Sequence, residues 1–324
     1  MSAPLLEVRN LKKYFPVRAG VLMRKVGDVH AVDDISFTLN AGETLGLVGE
    51  SGCGKSTVGR TLLNLLPATA GEVRFEGRDL GELSRHEWRA LRREIQIVFQ
   101  DPMESLNARH TIGKILEEPF IIHKLGTPDE RTQWVGDLLE RVGLARDAAH
   151  RFPHEFSGGQ RQRIGIARAI ALKPKLIVCD EAVSALDVSV RAQIINLLLE
   201  LQQEMKLALL FIAHDLSIVR HVSDHVAVMY LGKLVEQAPA NEIYQRPAHP
   251  YTRALLSAIP VPDPDHEHHR IVLEGDVPSP ISPPSGCRFH TRCAFATEIC
   301  KREVPRWEQV DEKQAVACHR WREI

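Results

Sequence analysis

No stretch leaves the 324-residue chain less choice of fold than Gly49-Glu50-Ser51-Gly52-Cys53-Gly54-Lys55-Ser56-Thr57. Gly49, Gly54, Lys55 and Ser56 fit G-x-x-x-x-G-K-[ST], the glycine-rich phosphate-binding pattern. The apolar run 44–48 ahead of it reads as a buried strand, and residues 58–66 behind it read as a helix stopped at Pro67. A strand that feeds a tight turn and then a helix points unpaired N–H groups, and the positive end of the helix dipole, at one spot. Gly49, Gly52 and Gly54 let the backbone close around an anion with no Cβ in the way. In this reading Lys55 reaches the β- and γ-phosphates of a bound nucleotide, and Ser56 turns its hydroxyl to Mg²⁺. A glycine turn with no ligand is the plain alternative. The order strand, loop, Lys-Ser, helix weighs against it.

The rest of the chain supplies strands in alternation with helices. Strands are expected at 5–10, 29–39, 95–100, 176–179 and 209–213, with strand and turn character at 71–80 and a hairpin about Gly232. Arg18 to Asp28 reads as a basic loop. Helices are expected at 85–93, over 112–141 with breaks at Pro119 and at Gly126-Thr127-Pro128, over 160–172 with Ser157 as N-cap, and at 194–201. This is the α/β plan, in which ligands gather at the C-terminal ends of strands. Gln100, Asp180, Glu181 and His214 all stand at such ends. Hydrolysis of a γ-phosphate needs charge neutralisation and an oriented water. Asp180 behind four apolar residues fits a Mg²⁺ partner, Glu181 fits the group that polarises the water, and Gln100 and His214 would approach the γ-phosphate. Singly, each would be an ordinary solvated group. Their joint order along the chain is what carries weight. Ahead of the loop, Tyr14 and Phe15 offer an aromatic ring that would stack on a purine; a core role at a strand end is the alternative.

Charge narrows the partners. Lys and Arg number 41 against 42 Asp and Glu, so a net charge of −1 gives no global attraction to nucleic acid or an acidic membrane. No apolar run approaches the roughly 20 residues that cross a bilayer, and Met1-Ser2-Ala3-Pro4 lacks the basic-then-apolar layout of a signal peptide. A cytosolic chain is expected, and there its six cysteines would be thiols or metal ligands rather than disulfides.

Taken together, residues 49–57, Gln100, Ser157-Gly158-Gly159-Gln160, the run 176–181, Ser184-Ala185-Leu186-Asp187 and His214 resemble the ATP-binding subunits of ABC transporters over residues 5 to about 240. Phe99-Gln100-Asp101-Pro102 with Ser105-Leu106-Asn107, then His249-Pro250-Tyr251-Thr252 and the cysteine-rich tail, resemble the dipeptide/oligopeptide importer subgroup, and within it the second ATPase subunit. The resemblance implies an α/β ABC-type ATPase core at 1–258, with a helical subdomain at about 103–172. A Pro-rich linker and cysteine-rich extension would follow at 259–324. It implies that Phe15, or its neighbour Tyr14, stacks on adenine and that Gly49, Glu50, Ser51, Gly52, Cys53, Gly54, Lys55, Ser56 and Thr57 hold the phosphates. Ser56, Gln100 and Asp180 would serve Mg²⁺, Glu181 would be the catalytic carboxylate and His214 the γ-phosphate switch. Ser157, Gly158, Gly159 and Gln160 would grip the ATP held by an opposing subunit, with Asp187 nearby; the N–H groups of a helix start suit such an anion. The implied function is ATP-driven uptake of di- or oligopeptides, on the cytoplasmic face of the membrane. The implied partners are two permease subunits, a second ATPase subunit (paralogue or copy) and, indirectly, a solute-binding protein, with no nucleic acid. Nickel or another small solute is the alternative cargo. A soluble ABC ATPase of DNA repair or translation is the alternative class, against which stand one phosphate loop, one Ser-Gly-Gly-Gln and no sustained heptads. Two positions depart from the family pattern: Ala182 and Ala108 stand where proline is usual, which relaxes φ without removing a reactive group.

Cys287, Cys293, Cys300 and Cys318 follow a C-x5-C-x6-C-x17-C spacing. The tight C-x2-4-C pairs of zinc sites are missing, so wider ligation by an iron–sulfur cluster fits better than zinc. The subgroup resemblance points to [4Fe–4S], and unligated thiols are the remaining alternative. Arg288, His290 and Arg292 among them would offset the cluster's negative charge. His266, His268 and His269 read as a solvated linker.

Overall fold

The computed structural model describes residues 3–101, 105–259 and 270–324. In chain order the strands are β1 (Leu6–Ala19), β2 (Arg24–Leu39), β3 (Thr44–Val48), β4 (Ala70–Phe75), β5 (Arg78–Asp79), β6 (Ile95–Val98), β7 (Leu176–Asp180), β8 (Ala208–Ala213), β9 (His225–Tyr230), β10 (Lys233–Pro239), β11 (Glu308–Gln309) and β12 (Ala315–Val316). They fall into two compact units. One is drawn from Met1–Asn40, Thr44–Gly81 and Phe211–Ile324, the other from Ala41–Glu43 and Glu82–Leu210.

In the first unit β2, β1, β4 and β5 form an antiparallel sheet in that order. β1 and β2 pair from Leu6 opposite Leu39 out to Ala19 opposite Arg24, so most of the expected 18–28 loop is strand and only its tip turns. Hydrophobic alternation cannot show this, because the outer half of the hairpin lies open to solvent on both faces, with Val21, Leu22, Met23 and Val26 exposed. Shifts in register along the pair break the alternation further. The second sheet of this unit runs β11, β12, β10, β9, β3. β3 and β9 are parallel, with Leu45 opposite His225 and Val48 opposite Val228, and every residue of β3 is buried. A strand covered on both faces reads as a continuous apolar run, which is why 44–48 is legible in the sequence. Leu231 and Gly232, both at positive φ, close the β9–β10 hairpin where the sequence places it. The C-terminal extension adds β12 along β10, with Glu236 opposite Val316, and so covers that strand's free hydrogen bonds.

In the second unit β6 and β7 pair in parallel, Ile95 with Leu176 and Val98 with Cys179. Three of its helices begin at capping boxes. Ser84 with Glu87 starts Arg85–Leu91, Thr127 with Glu130 starts Pro128–Arg141, and Ser157 with Gln160 starts Gly158–Ile170. Pro119 does not break its helix. Ile112–Ile122 runs through it, and the Pro119 carbonyl still accepts from the His123 N–H at 3.2 Å. The real break is the 123–127 segment ahead of Pro128, which sits in the first turn of the next helix, where its missing N–H costs nothing. Ile115, Leu116, Phe120, Val135, Leu139, Ile164 and Ile166 fill the interior between these helices. Each contributes about 1.5–3 kcal/mol on burial.

Candidate functional site

In the first unit β3 delivers the chain to the phosphate loop, and the helix Lys55–Leu62 leaves it with Gly54 as N-cap. Gly54 has φ near +110°, and a Cβ there would lie 2.0 Å from the Ala31 carbonyl oxygen. Only glycine fits both demands. Lys55 is buried, and its Nζ donates to the carbonyls of Gly49 (2.8 Å) and Glu50 (3.0 Å). The lysine thus spans the inside of the loop, with the Cys53 sulfur 3.9 Å away. Burial pushes the Cys53 thiol up, so it stays neutral beside that cation. Ser51 and Gly52 stand exposed at the loop's crest, and Ser56 and Thr57 are partly open in the first helical turn. Of the two aromatics, Tyr14 is already engaged. Its hydroxyl donates to Asp33 and its ring leans on His30 at 4.3 Å. Burial and that hydrogen bond push the Tyr14 hydroxyl up to about 12. Phe15 is half-exposed, with Lys13 Nζ 4.8 Å from its ring centre. His214 lies exposed after β8.

The second unit brings other expected residues together. β7 ends in Asp180, which is 1% exposed. Glu181 follows at φ near +48°, a left-handed backbone unusual for a non-glycine residue. The Ser184 N–H and hydroxyl hold the Glu181 carbonyl at 3.1 and 2.9 Å, which fixes the turn. Gln100 Nε2 donates to the Glu181 carboxylate at 3.0 Å, so two groups 81 positions apart meet. Ser157 and Gln160 cap each other. Gly158 opens their helix, and a Cβ at Gly159 would lie 2.3 Å from Val190 of the helix Val188–Met205. Close helix packing is thus one demand for glycine there, and nothing in the local pattern could have signalled it. Asp187 stands exposed at the N-cap of Val188–Met205, with its carbonyl accepting from the Arg191 N–H.

The C-terminal residues correct one expectation. Arg288 and Arg292 do not face the thiols. Arg288 donates to Asp33 and to the Leu231 carbonyl, and Arg292 makes two bonds to the Glu50 carboxylate, at 2.7 and 3.2 Å. His290 holds Nδ1 2.8 Å from the Cys287 carbonyl oxygen. Cys287, Cys293, Cys300 and Cys318 do line one small cavity, together with His249, Phe289 and His319. Yet among the described residues no group of three or more His, Cys, Asp or Glu side chains is arranged to hold a metal ion, so neither the cluster nor zinc gains support from the geometry. Burial pushes Cys287 up to about 12 and raises Cys293 and Cys318, so any metal or cluster would have to displace their protons on binding. The donor set itself, four sulfurs around one cavity, suits four-thiolate ligation. His266, His268 and His269 lie outside the described residues.

Sequence reasoning left the role of His249-Pro250-Tyr251-Thr252 unread. His249 is buried and caps the helix Pro250–Ser257, its Nδ1 accepting from the Tyr251 N–H at 3.0 Å. Burial drives its pKa down to about 3. The Tyr251 hydroxyl accepts from the Glu50 N–H at 2.9 Å, inside the phosphate loop. An exposed-looking tyrosine two places after a histidine gives no hint of a contact 201 positions away.

A glycine-shaped loop with an inward lysine at the end of a buried strand defines a P-loop nucleotide-binding protein. Comparison with known proteins carries this further. Residues 32–184 match the ABC transporter family model, and residues 235–300 match that of the oligopeptide/dipeptide transporter C-terminal region. The chain is 56% identical to the oligopeptide transport ATP-binding protein AppF of Bacillus subtilis, over 97% of each. It is 53% identical to the probable peptide ABC transporter ATP-binding protein y4tS of Sinorhizobium fredii, over 98% of this chain and 90% of that protein. Solved structures include cbiO1 of Clostridium perfringens, part of the ABC transporter complex cbiONQ. It has a TM-score of 0.64 and 27% identity, over 76% of this chain and 92% of that one. The cassette MJ0796, as a dimer in a post-hydrolysis state bound to ADP and Pi, has a TM-score of 0.65 and 26% identity, over 72% and 98%. The chain belongs to the ATP-binding subunits of ABC transporters and is an ATPase.

Proposed function

We propose that this chain is the ATP-hydrolysing motor of a membrane importer for di- or oligopeptides. The observation that carries the cargo is the match of residues 235–300 to the oligopeptide/dipeptide transporter C-terminal region, alongside relatives named for peptide transport over nearly the whole chain. Among the described residues no helix is long and apolar enough to cross a membrane. As the ATP-binding subunit of such an importer, the motor would sit on the cytoplasmic face against two permease subunits, with a second ATPase subunit opposite and a solute-binding protein supplying cargo.

Within this reading the nucleotide-binding domain is 1–258, with helical part about 103–172, and 259–324 is the extension. Residues 49–57 hold the phosphates of ATP. Phe15 stacks on adenine; the engagement of the Tyr14 hydroxyl by Asp33 favours Phe15 over its neighbour. Ser56, Gln100 and Asp180 serve Mg²⁺, which would offset phosphate charge. Glu181, held by Gln100, orients and polarises the attacking water, and His214 senses the γ-phosphate. Ser157, Gly158, Gly159 and Gln160, with Asp187, face the ATP of the opposing subunit. The four cysteines carry a [4Fe–4S] cluster, with zinc the weaker fit; iron and sulfide analysis of anaerobically purified protein, with its visible absorption, tests this.

The deciding experiment is an affinity pull-down from detergent-solubilised membranes, followed by uptake of a labelled dipeptide in cells that lack the gene. Co-purifying permeases and lost uptake are expected. Recovery of soluble partners, ribosomes or DNA alone would overturn the reading. Permeases with normal dipeptide uptake but impaired nickel uptake would move the cargo.

A further inference from the structure

Glu50 is the one acidic residue of the phosphate loop, and all three of its polar groups are pinned. Its N–H donates to the Tyr251 hydroxyl, its carbonyl accepts from Lys55 Nζ, and its carboxylate accepts both Arg292 bonds. Two of these three anchors come from the C-terminal quarter of the chain. Arg292 is only 8% exposed, against 29% for Glu50, so water screens the pair weakly. The segment that presents Arg292 is itself riveted. Its N–H bonds the Phe289 carbonyl at 3.0 Å, and the Phe289 ring packs edge-on to Tyr230 at 5.2 Å and against Tyr251 at 5.3 Å. One residue further back, Arg288 is tied to Asp33 and to the Leu231 carbonyl. The Cys53 carbonyl closes the circuit by accepting from Gly232 N–H of the same hairpin.

We propose that Arg292 is a positioning residue for nucleotide binding, acting from the cysteine-rich extension through Glu50. A planar guanidinium bonded at two points fixes the direction of the Glu50 side chain, and with it the Glu50 carbonyl that seats Lys55. It also cancels a carboxylate that would otherwise repel an incoming polyphosphate. The extension thereby belongs to the phosphate site although none of its atoms lies in the loop.

The test measures MgADP affinity of the full-length chain by calorimetry, together with ATPase kinetics, in Arg292→Ala, Glu50→Ala and the double variant. Loss of a hydrogen-bonded charge pair predicts that Arg292→Ala weakens MgADP binding about fivefold to tenfold and raises the ATP KM alike. The kcat at saturating ATP changes less than about twofold, because the reacting groups are untouched. The double variant is no weaker than Arg292→Ala alone. Arg246→Ala, which removes an exposed pair with Glu242, leaves affinity unchanged. Unaltered affinity in Arg292→Ala, or losses that multiply in the double variant, would overturn the proposal. If Arg292→Ala does not fold, Arg292→Lys is read in its place: it keeps the charge without the fork and should weaken binding about twofold to threefold. Wild-type affinity in that variant refutes the bidentate role.

Discussion

His249 should make the protein sensitive to mild acid, and a single substitution should remove the effect. The residue is 1% exposed and its pKa is driven to about 3 by burial, against about 6.5 in an unfolded chain. The folded value lies below the unfolded one, so the neutral form is bound in the fold. Above about pH 6.5 neither state carries the proton and nothing is lost. Below that, the unfolded chain takes up a proton that the fold refuses, and stability falls by about 1.4 kcal/mol per pH unit until the pH nears the folded value. Between pH 7.5 and 5.0 the loss comes to about 2 kcal/mol, and it is the same wherever below pH 4 the folded value stands. Glu236 works the other way. Its carboxylate accepts from the Ala248 and His249 N–H groups, and burial raises its pKa, so it gains stability as pH falls. Those bonds come from the backbone and survive replacement of the His249 side chain, so their contribution cancels in a comparison. His249→Asn keeps an N-cap acceptor for the Tyr251 N–H and removes the titration. Urea unfolding followed by tryptophan fluorescence, with Trp307 and Trp321 in the extension as reporters, gives both proteins' stability at the two pH values. The wild type should lose about 2 kcal/mol more than the variant, roughly 1 M in urea midpoint. Equal losses would refute the argument.

Three further outcomes are expected. Glu181→Gln keeps the Gln100 contact available and should leave nucleotide binding intact while lowering turnover about 10²- to 10⁴-fold, read by calorimetry beside a phosphate-release assay. Gly159→Ala should cost about 1–3 kcal/mol in a thermal melt by pressing on Val190, and Val190→Ala in the same chain should recover most of it. Ala182→Pro restores the residue usual in the family at a buried position after Glu181. It should add about 0.4–1 kcal/mol of stability with an unchanged ATPase rate, and identical melting curves would deny that position any role.

What could be read in the sequence was whatever depends on neighbours along the chain. Thr44–Val48 and Leu176–Asp180 are buried throughout, so their composition alone marks them as strands, and the polar residues that follow stand where the α/β plan puts reactive groups. Capping boxes at Ser84, Thr127 and Ser157 are local patterns and mark three helix starts. The outer half of the β1–β2 hairpin escaped because an arm with no buried face carries no period. Gln100 and Glu181 were each placed by the plan, but their hydrogen bond depends on the left-handed turn at Glu181, which its side chain does not announce. The four cysteines that the sequence groups line one cavity, while what they ligate depends on distances and protonation that spacing leaves open.

The same distinction explains why the extension looked like an appendage. A Pro-rich stretch at 260–284 marks a change of composition, and composition describes how a segment is built, not what it touches. Its side chains reach across most of the chain, Arg292 to Glu50, 242 positions away, and Arg288 to Asp33, 255 positions away. Both contacts join the extension to strands and loops at the front of the chain, and β12 extends the sheet that contains β3. Closing such distant contacts costs chain entropy that grows only slowly with separation, whereas a charge-assisted hydrogen bond contributes about 1.5–3 kcal/mol. A segment held at this many points is therefore a structural part of the phosphate loop's support. Removing residues 270–324 should weaken MgADP binding at least as much as Arg292→Ala does, and a truncated chain that folds and binds with wild-type affinity would show that the loop holds its shape alone.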